Sequence, residues 1–246
     1  MKLLVCIDDT DNMESIGSGE LLEIMGKELE ERCLGKAGYI TRHQLLVHEN
    51  IPYTSHNSSM CTEWSINGED YECVAGFAAE FLEANSAEGS DPGLCIIKRE
   101  ELTGDMVKRL IAYGKCAKTM ILRKWEACKL AESMPDLIHL SEHGGTGDGI
   151  IGALAGCGLR LSGQDGRMKG KIYPENAGIF MTVEHICSRY PFDEVRTMNG
   201  EVLPDETKIR IGEELKGVFL DHRIALLVKL SDGGYETCDK KELKKY

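Results

Sequence analysis

The sequence predicts an α/β (α+β) protein with a small β module at its carboxyl end. Three observations support this fold class. The first forty-odd residues run as strand, acidic loop, helix and strand, which is a βαβ-like opening. Amphipathic helix patterns and short apolar strands then follow one another as far as about residue 165. The last fifty residues change to short strand-like runs that polar residues separate.

The opening elements follow from apolar patterning. Residues 2–7 are rich in Leu, Val and Ile, which predicts a buried strand. The helical spacing of apolar residues predicts a helix over 20–33, which Gly35 and Gly38 end. A second strand is expected over 39–47.

The middle of the chain gives two further strands and four helices by the same criteria. The strands are expected over 60–66 and 94–97, and the helices over 70–83, 105–113, 125–134 and 149–157. A hairpin is expected over 158–171, around the turn residues at 164–166.

The terminal segment contains four strand-like runs, over 208–211, 217–221, 224–230 and 235–239. We therefore place a domain boundary before it, with a main region over 1–196 and a small β module over 197–246.

Composition excludes several classes of protein. Hydrophobic residues make up 42% of the 246 residues and charged residues 28%, which excludes general disorder. No apolar run approaches the roughly 20 residues that cross a bilayer, and no signal-peptide pattern opens the chain, so we expect a cytoplasmic protein. The net charge of −12 disfavours sequence-independent binding of nucleic acid. A local basic patch or a bound divalent cation would change that balance.

The ten cysteines are expected to be reduced and to pack as small apolar residues. The sequence contains no Cys-x-x-Cys, which disfavours a zinc ribbon or a thioredoxin-type pair. The seven histidines are scattered, and we expect none of them to bind zinc.

An acidic cluster directly after the first strand is the leading candidate for chemistry. Asp8, Asp9 and Asp11 place three carboxylates in four residues, and Mg²⁺ is the natural compensation for such repulsion. The alternative is an exposed acidic turn that caps the next helix. A haloacid-dehalogenase-type phosphatase motif is a minor alternative, because Met13 stands where that motif needs Thr or Val.

Gly17, Ser18 and Gly19 stand at the start of the first predicted helix. Two glycines let the backbone approach a ligand closely, and helix N-termini favour anions, so this segment is a candidate nucleotide-binding loop. A simple cap, with Ser18 as the N-cap residue, explains the segment equally well.

A second candidate nucleotide-binding loop precedes the helix expected over 149–157. It comprises Gly144, Gly145, Thr146, Gly147 and Asp148. Its glycines suit amide binding of phosphate, but no Gly-Lys-Ser/Thr follows, so it is not a Walker A loop. No clear strand precedes it, which argues against a dinucleotide fingerprint. The alternative is a tight turn before a closely packed helix.

The polar segment over 53–59 is rich in hydrogen-bond donors. Thr54, His56 and Asn57 are candidates for lining a substrate pocket. A solvated loop is the alternative.

Three motifs together resemble one known family. They are Ile7–Asn12, Asn50–Tyr53 and Ile150–Gly156. Their order and approximate spacing are similar to those of the archaeal tRNA-isoleucine agmatinylcytidine synthetases, which join agmatine to the anticodon cytidine with ATP. The resemblance covers roughly residues 1–165, and the aspartate motif is its most specific part.

The resemblance implies a kinase-like α/β region followed by a ferredoxin-like region, with ATP and Mg²⁺ as cofactors. By the same resemblance, Asp8, Asp9 and Asp11 are catalytic and metal-binding, and Thr10 contacts the nucleotide. Ser18 falls near a threonine that the family autophosphorylates. The segment around it lacks the family's two threonines and its tyrosine, so the sequence departs from the family's pattern at this position.

The family continues into an OB-fold and a zinc ribbon that hold the tRNA, whereas this sequence has no Cys-x-x-Cys. We therefore expect an ATP-dependent transferase or ligase that keeps the ATP chemistry and acts on a small or unidentified acceptor, with tRNA disfavoured. One alternative is a tRNA-modifying enzyme with a separate RNA-binding partner. The other is a non-catalytic ATP sensor.

Overall fold

The structure is a computed structural model that describes residues 1–51 and 56–246. Contacts divide the chain into two units, Met1–Ser162 and Gly163–Tyr246. The division lies after Ser162, and the sequence analysis placed a boundary after residue 196. The assignment of kinase-like and ferredoxin-like parts stays a prediction.

The first unit contains six strands and five α-helices within its described residues. The strands are β1 (Lys2–Asp8), β2 (Gly35–Ala37), β3 (Thr41–Gln44), β4 (Ser58–Ile66), β5 (Gly93–Lys98) and β6 (Ile138–Glu142). The helices are α1 (Ser18–Glu31), α2 (Tyr71–Asn85), α3 (Gly104–Ala117), α4 (Lys124–Glu132) and α5 (Gly149–Ser162). Short 3₁₀ turns lie at Gly68–Asp70 and Arg99–Glu101.

The strands of the first unit form an antiparallel sheet in the order β6-β5-β1-β4-β3, and β2 pairs with β4 beside β3. The βαβ-like opening therefore has the predicted order of elements, but β1 pairs with β4 and β5 rather than with β3. From β1 to β5 the chain runs β-α-β-β-β-α-β, with three strands between the two helices. The mixed α/β class that the sequence predicts is confirmed.

Strand β1 is buried on both of its faces. Leu3, Val5 and Ile7 pack with α1 and α2 in one core cluster, whereas Leu4 and Cys6 pack with α3, α4 and α5 in another. Alternate residues of a strand point to opposite faces, so its unbroken apolar run fits a strand covered by helices on both sides. This arrangement carries the chain directly from the centre of the core into the acidic segment.

Three local expectations are wrong. The predicted hairpin over 158–171 is absent, because α5 continues to Ser162 and only Arg167–Met168 forms a strand there. A strand, β6, does precede the second glycine loop. The N-cap residue of α1 is Gly17 rather than Ser18, and no side chain caps that position.

The second unit contains seven strands and one α-helix within the part of the chain that the structure describes. They are β7 (Arg167–Met168), β8 (Phe180–Thr182), α6 (Val183–Arg189), β9 (Glu194–Thr197), β10 (Lys208–Arg210), β11 (Gly217–Leu220), β12 (Arg223–Ser231) and β13 (Gly234–Thr237). A 3₁₀ turn follows at Glu242–Lys245.

The sheet of the second unit runs in the order β7-β11-β12-β13-β10-β8, and β9 joins it by pairing parallel to β12. The last four strands match the four predicted runs. In this unit the sequence analysis missed β8, α6 and β9. Within the described residues of both units, no helix has the length and apolarity that a membrane span requires.

Helices α3 and α5 pack so closely that glycine is required at their contact. A β-carbon on Gly158 would lie 2.1 Å from the carbonyl oxygen of Leu110, and one on Gly114 would lie 2.8 Å from that of Ala155. These neighbours are backbone atoms, which cannot rotate away. The contact therefore limits the side-chain size at both positions.

We predict that Gly158→Ala lowers the free energy of unfolding by at least about 1–3 kcal/mol, because the two helices must separate. Gly76→Ala is the matched control, since a β-carbon there meets nothing within 4 Å on the exposed face of α2. That control should stabilise the protein by about 0.5–1 kcal/mol. Urea unfolding of both variants measures the difference, and equal effects would contradict the close packing.

Candidate functional site

A cavity of about 990 Å³ lies in the first unit, beside the carboxyl end of β1. The predicted site residues that line it are Asp8, Asp9, Asp11, Gly17, Ser18, Gly19, His56, Asn57 and Asp148. Five other predicted residues do not line it, namely Thr10, Gly144, Gly145, Thr146 and Gly147. Thr54 lies outside the described residues. Distant sequence segments therefore meet at one cavity.

Asp8 is the last residue of β1, and its carboxylate lies against the first turn of α5. A β-carbon on Gly152 would lie 1.6 Å from Asp8 Oδ2, so only glycine leaves room for this side chain. Burial, and then the negative charge of Asp9, raise the pKa of Asp8 from 3.8 to about 8. The carboxyl therefore lies where its ionised form is disfavoured until a cation compensates it.

Asp9 turns the chain out of the strand. Its φ of 50° lies in the left-handed region, where Asp is one of the more tolerated residues. Its carbonyl oxygen accepts a hydrogen bond from the amide of Asp91 at 3.0 Å. Burial raises the pKa of Asp9 to about 6, with further contributions from the charges of Asp91, Asp11 and Asp148.

The loop after Asp9 is tied to the start of α1. The buried Thr10 hydroxyl donates to Ser18 Oγ at 2.9 Å, and this hydrogen bond connects the loop to the first residue of α1. Burial raises the pKa of Asp11, whereas the backbone amides of Asp11 and Ser18 oppose that rise. Asp11 therefore lines the cavity beside the start of α1.

Asp91, which the sequence analysis missed, organises the second glycine loop. Its carboxylate accepts hydrogen bonds from the Thr146 hydroxyl, from the Gly147 amide at 2.5 Å and from the Asp148 amide at 3.2 Å. Two of the amides that we expected to cradle phosphate therefore already bind a carboxylate. The Asp-Pro-Gly sequence before β5 was the only available signal for this residue.

Three basic side chains line the same cavity, namely Arg42, Arg123 and Lys124. Lys124 Nζ donates to Glu142 Oε2 at 2.6 Å and to the carbonyl oxygen of Thr146 at 2.8 Å, so it also holds the glycine loop. These residues come from segments that carry no motif, and only the fold brings them together. Five aspartates still outnumber them in the lining.

One side of the cavity is apolar and open to solvent. Met120, Ile121 and Trp125 line it, and they are 57%, 44% and 60% exposed. Exposed apolar side chains beside a polar cavity are typical of ligand-binding sites. This wall is a second feature that the sequence analysis missed.

The aspartates do not converge on one point. Among the residues that the structure describes, no set of three that includes carboxylates brings its ligand atoms within 4.8 Å of one another. This spacing suits an ion that takes one or two protein carboxylates and completes its shell with other oxygens, as Mg²⁺ does.

Comparison with known proteins gives a likeness of fold. No family model matches the chain, and no curated protein matches it. Among solved structures, apo TiaS, an agmatidine synthetase for an isoleucine tRNA, matches with a TM-score of 0.54 and 23% identity over 84% of this chain. The fold resembles that of TiaS. A TiaS complex with this tRNA and ATP matches equally well, with a TM-score of 0.54 and 24% identity over 84% of this chain.

A structure of a tRNA fluorescent labeling enzyme also matches, with a TM-score of 0.55 and 24% identity over 78% of this chain. The matched region covers 49% and 50% of the two TiaS chains and 45% of the labeling enzyme, so this chain spans about half the length of its structural neighbours. The resemblance that the aspartate motif suggested is therefore borne out at the level of fold.

We predict that Asp8→Asn stabilises the protein in a pH-dependent way when a chelator is present. A raised pKa means that the folded state binds an extra proton, so this carboxyl contributes less stability as pH rises from 3.8 to about 8. The amide of asparagine does not ionise, so the variant should gain in melting temperature toward pH 8 and differ little near pH 4.

Thermal unfolding across this pH range measures the effect, and each 1 kcal/mol corresponds to about 2–4 °C. Asp136→Asn, at an exposed position of the first unit, is the control. A difference between Asp8→Asn and the parent that does not vary with pH would contradict the burial of Asp8.

Proposed function

We propose that this chain is an ATP- and Mg²⁺-dependent enzyme that transfers a phosphoryl group or splits ATP. The observation that carries the proposal is the meeting of Asp8, Asp9 and Asp11 with the N-termini of α1 and α5 at one cavity. Carboxylates suit the cation, and helix N-termini suit the phosphates. The likeness of fold to TiaS, one of whose structures contains ATP, agrees with this proposal.

The residues present fit a divalent cation. Burial raises the pKa values of Asp8, Asp9 and Asp11, which means that their negative charges lack full compensation in the folded chain. One or two of them would hold Mg²⁺, which would offset the negative charge of a bound phosphate. Without that ion, the acidic lining would repel a nucleoside triphosphate.

The remaining lining residues divide into two groups. Gly17, Ser18 and Gly19 present the start of α1 to the phosphates, and Asp148 faces the same space. Trp125, on the apolar wall, offers a flat surface on which a nucleobase would stack. In this arrangement Gly144–Gly147 support the loop rather than contact the nucleotide.

The acceptor would enter beside His56 and Asn57, which line the cavity. The structural neighbours include TiaS in complex with its isoleucine tRNA, AMPCPP and agmatine, at a TM-score of 0.53 and 22% identity. This favours tRNA modification as the second candidate function. The net charge of −12 favours a smaller acceptor, or an RNA-binding partner that supplies the basic surface.

We predict that Asp9→Asn and Asp11→Asn each lower the rate of ATP turnover by at least about 100-fold, which corresponds to the loss of several kcal/mol of charge stabilisation by the cation. Asp136→Asn should retain the rate of the parent. The assay incubates the protein with Mg²⁺-ATP, alone and with agmatine, tRNA or metabolite pools, and separates ADP from AMP.

Normal turnover in both site variants would show that the cation lies elsewhere. Tight ATP binding without turnover under any of these conditions would support a nucleotide sensor instead. Turnover that requires tRNA would support the tRNA-modifying alternative.

We predict that Trp125→Ala raises the Kd for ATP by roughly 5- to 150-fold, because base stacking contributes about 1–3 kcal/mol. Inorganic tripolyphosphate has no base, so its affinity should not change in this variant. Tyr173→Ala, at a 68% exposed position of the second unit, controls for loss of an exposed aromatic residue. Calorimetric titration measures both ligands, and an equal loss of affinity for both would exclude stacking on Trp125.

A further inference from the structure

Three cysteine thiols meet in the core of the first unit. Cys6 lies on β1, Cys61 on β4 and Cys157 on α5, and all three are fully buried. Their Sγ atoms all lie within 4.8 Å of one another. Over residues 1–51 and 56–246, this is the only set of three potential ligand side chains that comes so close. We call it the thiol triad.

The fold, rather than any local motif, creates the thiol triad. Cys6 and Cys61 face each other as partners in the register of β1 and β4, and Cys157 reaches them from α5. Two thiolates on one zinc ion, at Zn–S distances of about 2.3 Å, lie about 3.8–4.0 Å apart at tetrahedral to trigonal angles. The spacing of the thiol triad is therefore compatible with a single ion.

A buried positive charge lies beside the thiol triad. Arg160 is 5% exposed, and it follows Cys157 by three residues, which places both side chains on one face of α5. Its guanidinium donates to the hydroxyl of Thr41, which is the register partner of Cys61. Three thiolates with one Zn²⁺ carry a single negative charge, and Arg160 would neutralise it.

A buried hydroxyl without a partner lies at the same place. Ser59 Oγ is fully buried and has no hydrogen-bond partner among the described residues. A β-carbon on Gly156 would lie 2.4 Å from Cys6 Sγ and 2.5 Å from Ser59 Oγ, so the thiol and the hydroxyl occupy adjoining space. Unpaired buried hydroxyls are costly, and a metal ion held by the thiol triad would give this one a partner.

We propose that Cys6, Cys61 and Cys157 supply three of the four ligands of a structural Zn²⁺ site, with the adjoining Ser59 Oγ as the fourth. Binding forms three Zn–S bonds and releases three thiol protons to solvent, and the resulting charge is balanced by Arg160. Simple packing of apolar thiols leaves the buried Ser59 hydroxyl without a partner. The site is independent of the proposed ATP chemistry, since it uses soft sulfur ligands and the cavity offers hard oxygen ligands.

Because the thiol triad is fully buried, the ion must enter before the core closes. The test therefore refolds the full-length chain under anaerobic, reducing conditions with Zn²⁺ or Co²⁺ and removes unbound metal by gel filtration. About one equivalent of metal should remain with the refolded chain, as expected for a structural site. Bound Co²⁺ should give a sulfur-to-cobalt charge-transfer band, which cobalt held by carboxylates does not give.

Cys61→Ser and Cys157→Ser should lose this band and retain less than about a tenth of an equivalent of Zn²⁺. Cys95→Ser is the matched control. Cys95 is buried and faces Cys6 from β5, but it lies outside the thiol triad, so this variant should retain both the metal and the band. Circular dichroism confirms that each variant is folded.

A second measurement does not depend on variants. The parent refolded with Zn²⁺ should melt at a higher temperature than the parent refolded with a chelator. The proposal is overturned if the parent refolds without retaining Zn²⁺, or if bound Co²⁺ lacks the sulfur band. It is also overturned if Cys95→Ser loses the metal as completely as the triad variants.

Discussion

The structure of the first unit depends on one constraint: a strand that is buried on both faces ends in three carboxylates. Leu3 to Ile7 place β1 at the centre of the sheet, where helices cover both of its sides. The chain therefore leaves the core at Asp8 with three carboxylates that are only partly exposed to water. Burial is the largest cause of the raised pKa values of Asp8 and Asp9.

The surrounding elements adapt to this confinement. Asp9 takes a left-handed φ, which redirects the chain toward α1. Gly152 leaves space for the Asp8 carboxylate, and Asp91 binds the loop that precedes α5. Each adaptation keeps the acidic residues near one another although they repel. A protein without a ligand for these charges would gain stability by losing them, and this agrees with the cation site that we propose.

Those parts of the fold that depend on neighbours in sequence were predictable. The apolar run of β1, the periodicity of α1 and α2 and the four terminal strands appear where patterning places them. Pairing in the sheet was not predictable, because it depends on which strands are brought together by helices that pack on both faces. The end of α5 was also missed, since Gly158 reads as a helix stop and is in fact required by its contact with Leu110.

The same distinction applies to the candidate site. Asp8, Asp9 and Asp11 are adjacent in sequence, so their charge is visible without a structure. Asp91 and Trp125 carry no such signal, because the residues that lie beside them in the structure are far away in the chain. The thiol triad is the extreme case, since 55 or more positions separate its successive members, Cys6, Cys61 and Cys157.

The glycines of α5 have a mechanical consequence. Gly149, Gly152 and Gly156 follow one another at intervals of three and four, so they form one stripe, which contacts Asp91, Asp8 and Cys6 respectively. Because glycine has no side chain, the backbone of α5 packs directly on these neighbours. No side chain at this contact can rearrange, so we expect α5 and β1 to move as one body. We therefore expect any movement that admits or releases a ligand in the apolar wall, whose side chains Met120, Ile121 and Trp125 are exposed.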